Sequence, residues 1–331
     1  MLENYSFGIP AGCSGKGDRL FFEGSEKKFE LVTSAGSPSF RLLPPLYWER
    51  LVAQAGGAII TRLSNNLCDS YILSESSLLV YDHKVIMITC GRTTLIDAAL
   101  DILRQVQPDQ VELFFYERKN ELFPHQQQST FSEDARVLSA VLPGRDCLFG
   151  EHGGHRHHLH LFHLDRPYTP PAGDTTLEIL MYGISLKSRE IFCRGVNHEK
   201  SYIRDHTGVH QILPDFEIAD HVFQPAGYSL NAIRNADYYT LHVTPQEVGS
   251  YVSFETNCCT QVSQSELIQR ILMIFQPEDF DLIVFGALDK NLQVDPTYEL
   301  TLQIADTLSC GYNVHYRNYC QRRNEIQAIG F

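Results

Sequence analysis

Four polar residues in a row, Ser74, Glu75, Ser76 and Ser77, occupy the centre of YILSESSLLV, Tyr71 to Val80. The segment otherwise reads as one strand, with apolar flanks, β-branched or aromatic residues near its ends, and no Gly or Pro. Each of those polar groups costs free energy on burial unless it finds a partner. Read alone, the string fits a serine-rich strand or turn as well as a reactive site. Cys90 follows Ser76 by fourteen positions, and a buried cysteine is most often a small hydrophobe. Glu23 and Glu26, three apart in FFEGSEK, read in isolation as a solvated pair on a surface or turn. EHGGHRHHLHLFHLD, 151–165, carries six histidines. In a strand His158 and His160 share one face and His157 the other, which could form a surface metal clip. An exposed strand or loop is the simpler reading, and no metal is expected.

The elements that must position these groups follow a repeated rhythm. GIPAGCSGKGD (8–18) is Gly-rich and reads as loose, and FFEGSEKKFELV (21–32) as a strand broken by a Gly-Ser turn. SFRLLPPLYWERLVAQAGG (39–57) contains a helix that starts near the prolines and stops at the Gly pair. AIITRLSNN, YILSESSLLVY and VIMITCG are strand-like runs. TTLIDAALDILRQV (93–106) has helical spacing with a Thr available as cap. VELFFYERK is a strand and SEDARVLSAVLPG a helix. HHLHLFHL, TLEILMYGI, ADYYTLHVT and SYVSFETN are strand candidates, and QSELIQRILMIF (264–275) is helical. Hairpin-like gaps between strands, with helices grouped between sets, predict an antiparallel α+β protein with helices on the outer faces. No low-complexity linker divides the halves, so residues 1–331 are expected to form a single domain.

The chain of 331 residues carries a net charge of −13, with 43% hydrophobic and 20% charged residues. That balance is ordinary for a soluble protein. It disfavours phosphate backbones and anionic lipid, so neither nucleic acid nor membrane is expected as a partner, and a cationic ligand is favoured. Nine cysteines include no CxxC pair, which argues against a zinc ribbon or a dithiol motif. No signal-peptide pattern or membrane-length apolar run is present, and a reducing cytoplasm is the expected home.

LSESS followed by Cys90 in TCG resembles the processing site and catalytic cysteine of the eukaryotic-type S-adenosylmethionine decarboxylase family. FFEGSEK (21–27), FFYERKN (114–120), TLEILM (176–181), PAGYSLNA (225–232), LHVTP (241–245) and SYVSFETN (250–257) match that family in order. The resemblance covers roughly residues 20 to 285. It leaves the last 45 or so residues and the Gly-rich N-terminus unplaced. It implies a four-layer αββα sandwich of two antiparallel sheets with an internal pseudo-duplication. It also implies a self-processing proenzyme that cleaves between Glu75 and Ser76 into a small β chain, 1–75, and a large α chain, 76–331.

Decarboxylating an amino acid leaves a carbanion at Cα, which needs an electron sink such as a carbonyl forming a Schiff base with the substrate amine. The resemblance implies that Ser76 supplies it: attack on the Glu75 carbonyl gives an ester, elimination gives dehydroalanine, and hydrolysis gives a pyruvoyl group. No pyridoxal phosphate is then needed. It implies Cys90 as proton donor to Cα, and Ser229 and His242 as the pair that assists processing. An imidazole suits such a base, because its pKa lies near working pH. Glu23 and Glu26 become active-site carboxylates able to attract a sulfonium. Phe22 and Phe223 match two aromatics that sandwich adenine, one near the sulfonium. The backbone around Leu73 and Glu75 should edge the same pocket. The implied function is decarboxylation of S-adenosylmethionine to the aminopropyl donor for spermidine and spermine synthesis.

Two departures stand out. Where the family places a Glu that grips both ribose hydroxyls, this chain has Gln246, with Glu247 one place later. Gln lacks the two charged acceptors of a carboxylate. This leaves open whether Glu247 takes the role, or whether the substrate is ornithine or arginine. A non-catalytic regulatory paralogue is a further alternative, opposed by the presence of Ser76, Cys90, Ser229 and His242. Glu30, Asp174, Thr176, Glu178 and Glu255 match a buried acidic cluster that binds putrescine in animal members, but its linking lysine is replaced by Ile88. Lys28 sits where plant enzymes place an arginine that substitutes for the diamine. Buried acids partly paired by Lys28 are expected; putrescine activation and a homodimer of αβ units stay open.

Overall fold

Alternation along the strands builds a protein of four layers. In the computed structural model, which describes residues 22–150, 157–194, 199–259 and 262–322, sixteen strands form two eight-stranded antiparallel sheets. The Gly-rich segment 8–18 and residues 151–156 of the histidine stretch lie outside the described residues. In spatial order the first sheet is β2 (Ile59–Ser64), β3 (Asp69–Leu73), β4 (Ser76–Val80), β5 (Lys84–Thr89), β1 (Lys27–Thr33), β6 (Val111–Lys119), β8 (His158–Leu164) and β7 (Gly144–Gly150). The second is β10 (Glu217–Val222), β11 (Tyr228–Arg234), β12 (Asp237–Thr244), β13 (Tyr251–Thr256), β9 (Thr176–Tyr182), β14 (Asp279–Phe285), β16 (Asn313–Gln321) and β15 (Tyr298–Thr307).

Adding eight to each strand number of the first sheet reproduces the order of the second. The pseudo-duplication is therefore complete at the level of topology. It makes β4, which begins at Ser76, the counterpart of β12, which carries His242. Likewise β1, with Lys28, is the counterpart of β9, with Glu178.

Phe29 and Leu31 of β1, with Phe114 and Tyr116 of β6, face the helices α1 (Pro45–Gln54), α2 (Leu95–Leu103) and α3 (Phe131–Ser139), where they join one core. The second sheet packs likewise on α4 (Leu186–Arg194), α5 (Lys200–Thr207) and α6 (Gln264–Phe275). Helix α3 begins with a capping box between Thr130 and Glu133. The Thr expected to cap α2 is Thr94, but its hydroxyl donates instead to the Gln54 carbonyl at 3.0 Å, tying α2 to α1.

The two sheets meet through separate apolar patches. One gathers Phe115, Leu161, Leu180, Ile283 and Phe285; the other gathers Leu79, Ile86, Ile88, Ile233 and Tyr238. Full burial of each such side chain is worth roughly 1.5–3 kcal/mol. The same layer also carries a strip of buried polar residues, among them Lys28, Glu117, Lys119, Glu178, His242 and Glu255.

One sequence expectation is corrected. Tyr71–Val80 is two strands rather than one: β3 and β4 pair antiparallel with Leu73 opposite Ser76 and Ile72 opposite Ser77, joined by a turn at Ser74 and Glu75. The polar centre is thus a hairpin tip, whose backbone the ladder does not need. The final stretch left unplaced by motifs supplies β15 and β16, which extend the second sheet beyond β14. Among the described residues, no helix is long and apolar enough to cross a membrane.

Candidate active site

Strand pairing aims the hairpin tip at the end of β5. Ser76 lies opposite Thr89, so the next residue, Cys90, meets the Glu75 peptide. Cys90 donates its backbone N–H to the Glu75 carbonyl oxygen at 2.9 Å, and its thiol donates to the same oxygen at 3.3 Å. Ser74 is held by the Ala58 backbone, donating its N–H at 2.8 Å and accepting on Oγ at 2.9 Å. Ser76 is 2% exposed and has φ 138°, a conformation that costs a residue with a Cβ roughly 1–3 kcal/mol. Its Oγ is buried and has no hydrogen-bond partner among the described residues. A strained residue, an uncommitted hydroxyl and a preceding carbonyl polarised by two donors are the parts that an intramolecular acyl shift requires.

The second sheet approaches this tip with a hydrogen-bonded chain. Ser229 of β11 lies directly opposite His242 of β12, with Ser229 Oγ 2.9 Å from His242 Nδ1. On the other side of the ring, Nε2 lies 3.0 Å from Ser77 Oγ, the residue after Ser76. Burial, and then the charge of Lys119, pull the His242 pKa down to about 3, so the imidazole is neutral. Ser253, opposite His242 on β13, donates to Glu26.

Beside the tip lies a cavity of about 320 Å³ lined by Phe22, Glu23, Glu75, Gly91, Arg92 and Phe123, together with residues of neighbouring loops. Gly91 has φ +68°, and a Cβ there would approach both Glu75 Oε2 and the Phe22 ring to 3.1 Å. The Gly of TCG therefore makes room for the pocket wall. Glu23 Oε2 accepts the Phe123 N–H at 2.8 Å, while Oε1 is buried without a hydrogen bond among the described residues. Burial raises the pKa of Glu23, and raises that of Glu75 to about 7 against the pull of Lys27. Burial, followed by the carboxylates of Glu75 and Glu26, pushes the Cys90 thiol well up, so it keeps its proton.

Gln246 holds Phe22 by its backbone, accepting the Phe22 N–H at 3.2 Å and donating to the Phe22 carbonyl at 2.8 Å and the Gly249 carbonyl at 3.1 Å. Glu247 is exposed. Phe223 follows β10, with its ring packed edge-on against His221 at 4.7 Å. Neither Glu247 nor Phe223 lines the cavity. Leu73 is buried opposite Ser76.

The acidic cluster exists, but with a different membership. Lys28 Nζ lies 2.6 Å from Glu178, 3.0 Å from Glu255 and 3.7 Å from Glu117. Lys119 Nζ lies 2.8 Å from Glu178, 3.7 Å from Glu117 and 3.8 Å from Glu26. Burial alone would lower Lys28, but Glu178 and Glu255 outweigh it and hold the ammonium well above its ordinary pKa. Burial likewise would raise Glu178, yet Lys119 and Lys28 hold it at about 2. Burial lifts Glu26 to about 7 and Glu117 to about 8. The sequence reading anticipated Lys28, Glu178 and Glu255 but missed Glu117 and Lys119. The signal was present in FFYERKN, where strand alternation puts these two on one face. Asp174 accepts from Tyr312, and Glu30, whose charge also acts on Lys28, is 3.9 Å from Lys84. Thr176 starts β9, and Ile88 is cross-strand from both Lys28 and Ser77.

In the histidine stretch, His160 stacks on Phe131 at 4.8 Å and His158 meets His160 at 5.0 Å. His157 faces the other sheet, 3.0 Å from Asp281. His157 precedes β8 with φ 62°, so its direction is set by that bend rather than by strand alternation.

Residues 19–328 match the sequence model of the adenosylmethionine decarboxylase family. The chain is 32% identical over 333 residues to the S-adenosylmethionine decarboxylase proenzyme of Trypanosoma cruzi, covering 91% of this chain and 89% of that protein. It is 30% identical over 340 residues to the proenzyme of Dictyostelium discoideum, covering 92% and 87%. Against the proenzyme of Catharanthus roseus it is 30% identical over 354 residues, covering 97% and 94%. Among solved structures, the Trypanosoma brucei AdoMetDC-delta26 monomer superposes with a TM-score of 0.58 at 27% identity, covering 74% of this chain and 99% of that one.

Proposed function

The chain belongs to the adenosylmethionine decarboxylase family, and from that premise we propose which of its residues cut the chain and which serve the reaction. The family's activity is the pyruvoyl-dependent decarboxylation of S-adenosylmethionine, which yields the aminopropyl donor of polyamine synthesis. One observation carries the proposed roles: Ser76, strained and with an uncommitted hydroxyl, follows a carbonyl held by both donors of Cys90.

Self-processing begins when Ser76 Oγ attacks the Glu75 carbonyl carbon. The Oγ–C bond forms, the Glu75 C–N bond breaks, and the hydroxyl proton ends on the Ser76 nitrogen. Negative charge on the Glu75 oxygen in the intermediate is met by the Cys90 N–H, and Ser229 offers a further hydroxyl. Loss of the Ser76 Cα proton to His242 then breaks the Cβ–Oγ bond, and residue 75 departs as a carboxylate. The dehydroalanine left at 76 tautomerises, takes up water and releases ammonia. The products are chains 1–75 and 76–331, the second beginning with a pyruvoyl group.

Ser76, beside Cys90 and next in the chain to Glu75 of the cavity wall, suits such a group. Its carbonyl supplies the electron sink that decarboxylation needs. Around it, Glu23 offers a buried carboxylate to a cationic sulfonium, and Phe22 offers a ring face. Cys90, kept as a thiol, holds the proton that Cα must regain. Gln246, rather than Glu247, serves the substrate by fixing Phe22.

The pairing of Lys28 with Glu178 and Glu255, with its ammonium 5.8 Å from the Phe285 ring centroid, supports a second element of the reading. The cluster supplies its own cations, and putrescine does not activate this enzyme. Cys68, Cys90, Cys147, Cys258, Cys259 and Cys310 are free thiols, as suits a reducing cytoplasm.

Intact mass under denaturing conditions tests the cleavage. Two chains meeting at 75/76, with a pyruvoyl N-terminus on the larger, are expected. One uncut chain would remove the processing roles assigned above.

A further inference from the structure

Asn231 of β11 is 1% exposed and reaches across the inter-sheet layer to the hairpin. Its Nδ2 lies 3.0 Å from the Tyr71 carbonyl oxygen and 3.0 Å from Ser70 Oγ. A carbonyl only accepts, so that end of the amide is the NH₂ and the other end is Oδ1. Oδ1 faces Ser77 Oγ at 2.5 Å. Since Oδ1 has no hydrogen to give, the single hydroxyl hydrogen of Ser77 is spent there. Ser77 Oγ is also 3.0 Å from His242 Nε2, and with its hydrogen committed it can only accept. The ring hydrogen of His242 therefore sits on Nε2. A neutral imidazole has only one such hydrogen, which leaves Nδ1 bare, and Ser229 Oγ at 2.9 Å must donate to it.

We infer that Asn231 is a positioning residue of self-processing: by orienting Ser77 it keeps the ring hydrogen of His242 on Nε2 and makes Nδ1 the basic nitrogen, capped by Ser229. The inference rests on the reading of His242 as the processing base. It also links two steps. While Ser229 donates to Nδ1 the lone pair is covered. When Ser229 turns its hydrogen to the oxyanion on the Glu75 side, the same rotation uncovers the base that the elimination needs. The direction of every hydrogen bond in this chain derives from one backbone carbonyl, that of Tyr71 in the strand before the scissile turn. The base is thus set by the element that presents the cleavage site.

The test begins with the full chain carrying Ser76→Ala, which cannot form the ester and stays uncut, labelled with ¹⁵N histidine. Two-bond ¹H–¹⁵N correlation, assigned by comparison with His242→Gln, is expected to show Nε2–H and a bare Nδ1. Adding Asn231→Ala frees the Ser77 hydrogen to donate to Nε2 and should move the ring hydrogen to Nδ1. Ser77→Ala, a smaller change, removes the acceptor that holds the hydrogen on Nε2 and should also move it to Nδ1, where Ser229 can accept it, which covers the case in which Asn231→Ala fails to fold. An Nδ1–H ring in the parent, or a ring unchanged in the variants, overturns the inference.

In the otherwise active chain, Asn231→Ala should slow cleavage at least about tenfold, part of the 10²–10⁴ that a placed general base contributes. The ester should accumulate, and hydroxylamine should then cut it at residue 75. Slow cleavage without hydroxylamine-sensitive ester would overturn the positioning role. Failure of the premise looks different: His242→Gln would process at the normal rate while the ring hydrogen still followed Asn231.

Discussion

The Glu75 carbonyl oxygen lies 2.9 Å from the backbone nitrogen of Cys90 and 3.3 Å from its sulfur, so one residue brings two different donors to one bond. Only the second belongs to the side chain. Cys90→Ala keeps the backbone donor, and self-cleavage should stay within about tenfold of normal, since a whole oxyanion donor is worth roughly 10²–10³. Turnover, which needs the thiol proton, should fall by about 10²–10⁴. Intact mass over time reads the first effect, and carbon dioxide release from carboxyl-labelled S-adenosylmethionine reads the second. A variant that cannot cut itself, or one that cuts and turns over normally, would defeat this division of labour.

Lys28 lies between Glu178 and Glu255, 1% exposed. Removing a cation from a buried pair leaves charge uncompensated and costs about 3–5 kcal/mol. Lys28→Leu is therefore expected to lower the thermal midpoint and the activity together. Added putrescine should restore part of both in the variant while leaving the parent unchanged. Stimulation of the parent by the diamine would show that Lys28 and Lys119 do not complete the cluster.

Much of this arrangement was legible in residue order. Long runs such as VELFFYERK and QSELIQRILMIF are strand and helix by spacing alone, and they appear with those bounds. The hairpin at Ser74 and Glu75 was hidden because its turn carries no Gly or Asn-Gly signal, and both strands are apolar enough to read as one. The edge strand β15 was missed because it is largely exposed, its burial alternating only weakly. The role of Gln246 could not be read, because its partner Phe22 is 224 positions away. Alternation puts Glu117 and Lys119 on one face, but only the second sheet, supplying Glu178, shows that this face is buried against charge.

Buried titrating groups set opposite pH trends for stability. Glu26 and Glu117 have folded pKa values raised from 4.5 to about 7 and about 8. Above pH 4.5 the unfolded chain sheds protons that the folded chain retains, so their contribution is lost as pH climbs to about 8. His242 is lowered from 6.5 to about 3, so the unfolded state takes up its proton first and stability is lost as pH falls from 6.5 towards 3. The two trends oppose each other between 4.5 and 6.5, where the maximum is expected. Urea midpoints of the Ser76→Ala chain across pH would trace it. Glu117→Gln should flatten the alkaline limb and leave the acid limb alone; an unchanged alkaline slope would move the retained proton elsewhere.

Gln246 presents its amide hydrogens to the carbonyls of Phe22 and Gly249, at 2.8 and 3.1 Å, and its amide oxygen to the Phe22 N–H. A carboxylate in the same place has no hydrogen for either carbonyl. Gln246→Glu therefore removes two neutral hydrogen bonds, each worth about 0.5–1.5 kcal/mol, and faces a charge towards two carbonyl oxygens. Phe22, a wall of the cavity, loses its anchor while the cleavage site is untouched. Self-cleavage should be normal, kcat within about twofold, and KM about tenfold higher, which corresponds to roughly 1.4 kcal/mol. Glu247→Ala, at an exposed position outside the cavity lining, should leave KM unchanged. A lower KM in Gln246→Glu would mean that the side chain leaves Phe22 to grip the substrate directly. A higher KM in Glu247→Ala would transfer that role to its neighbour.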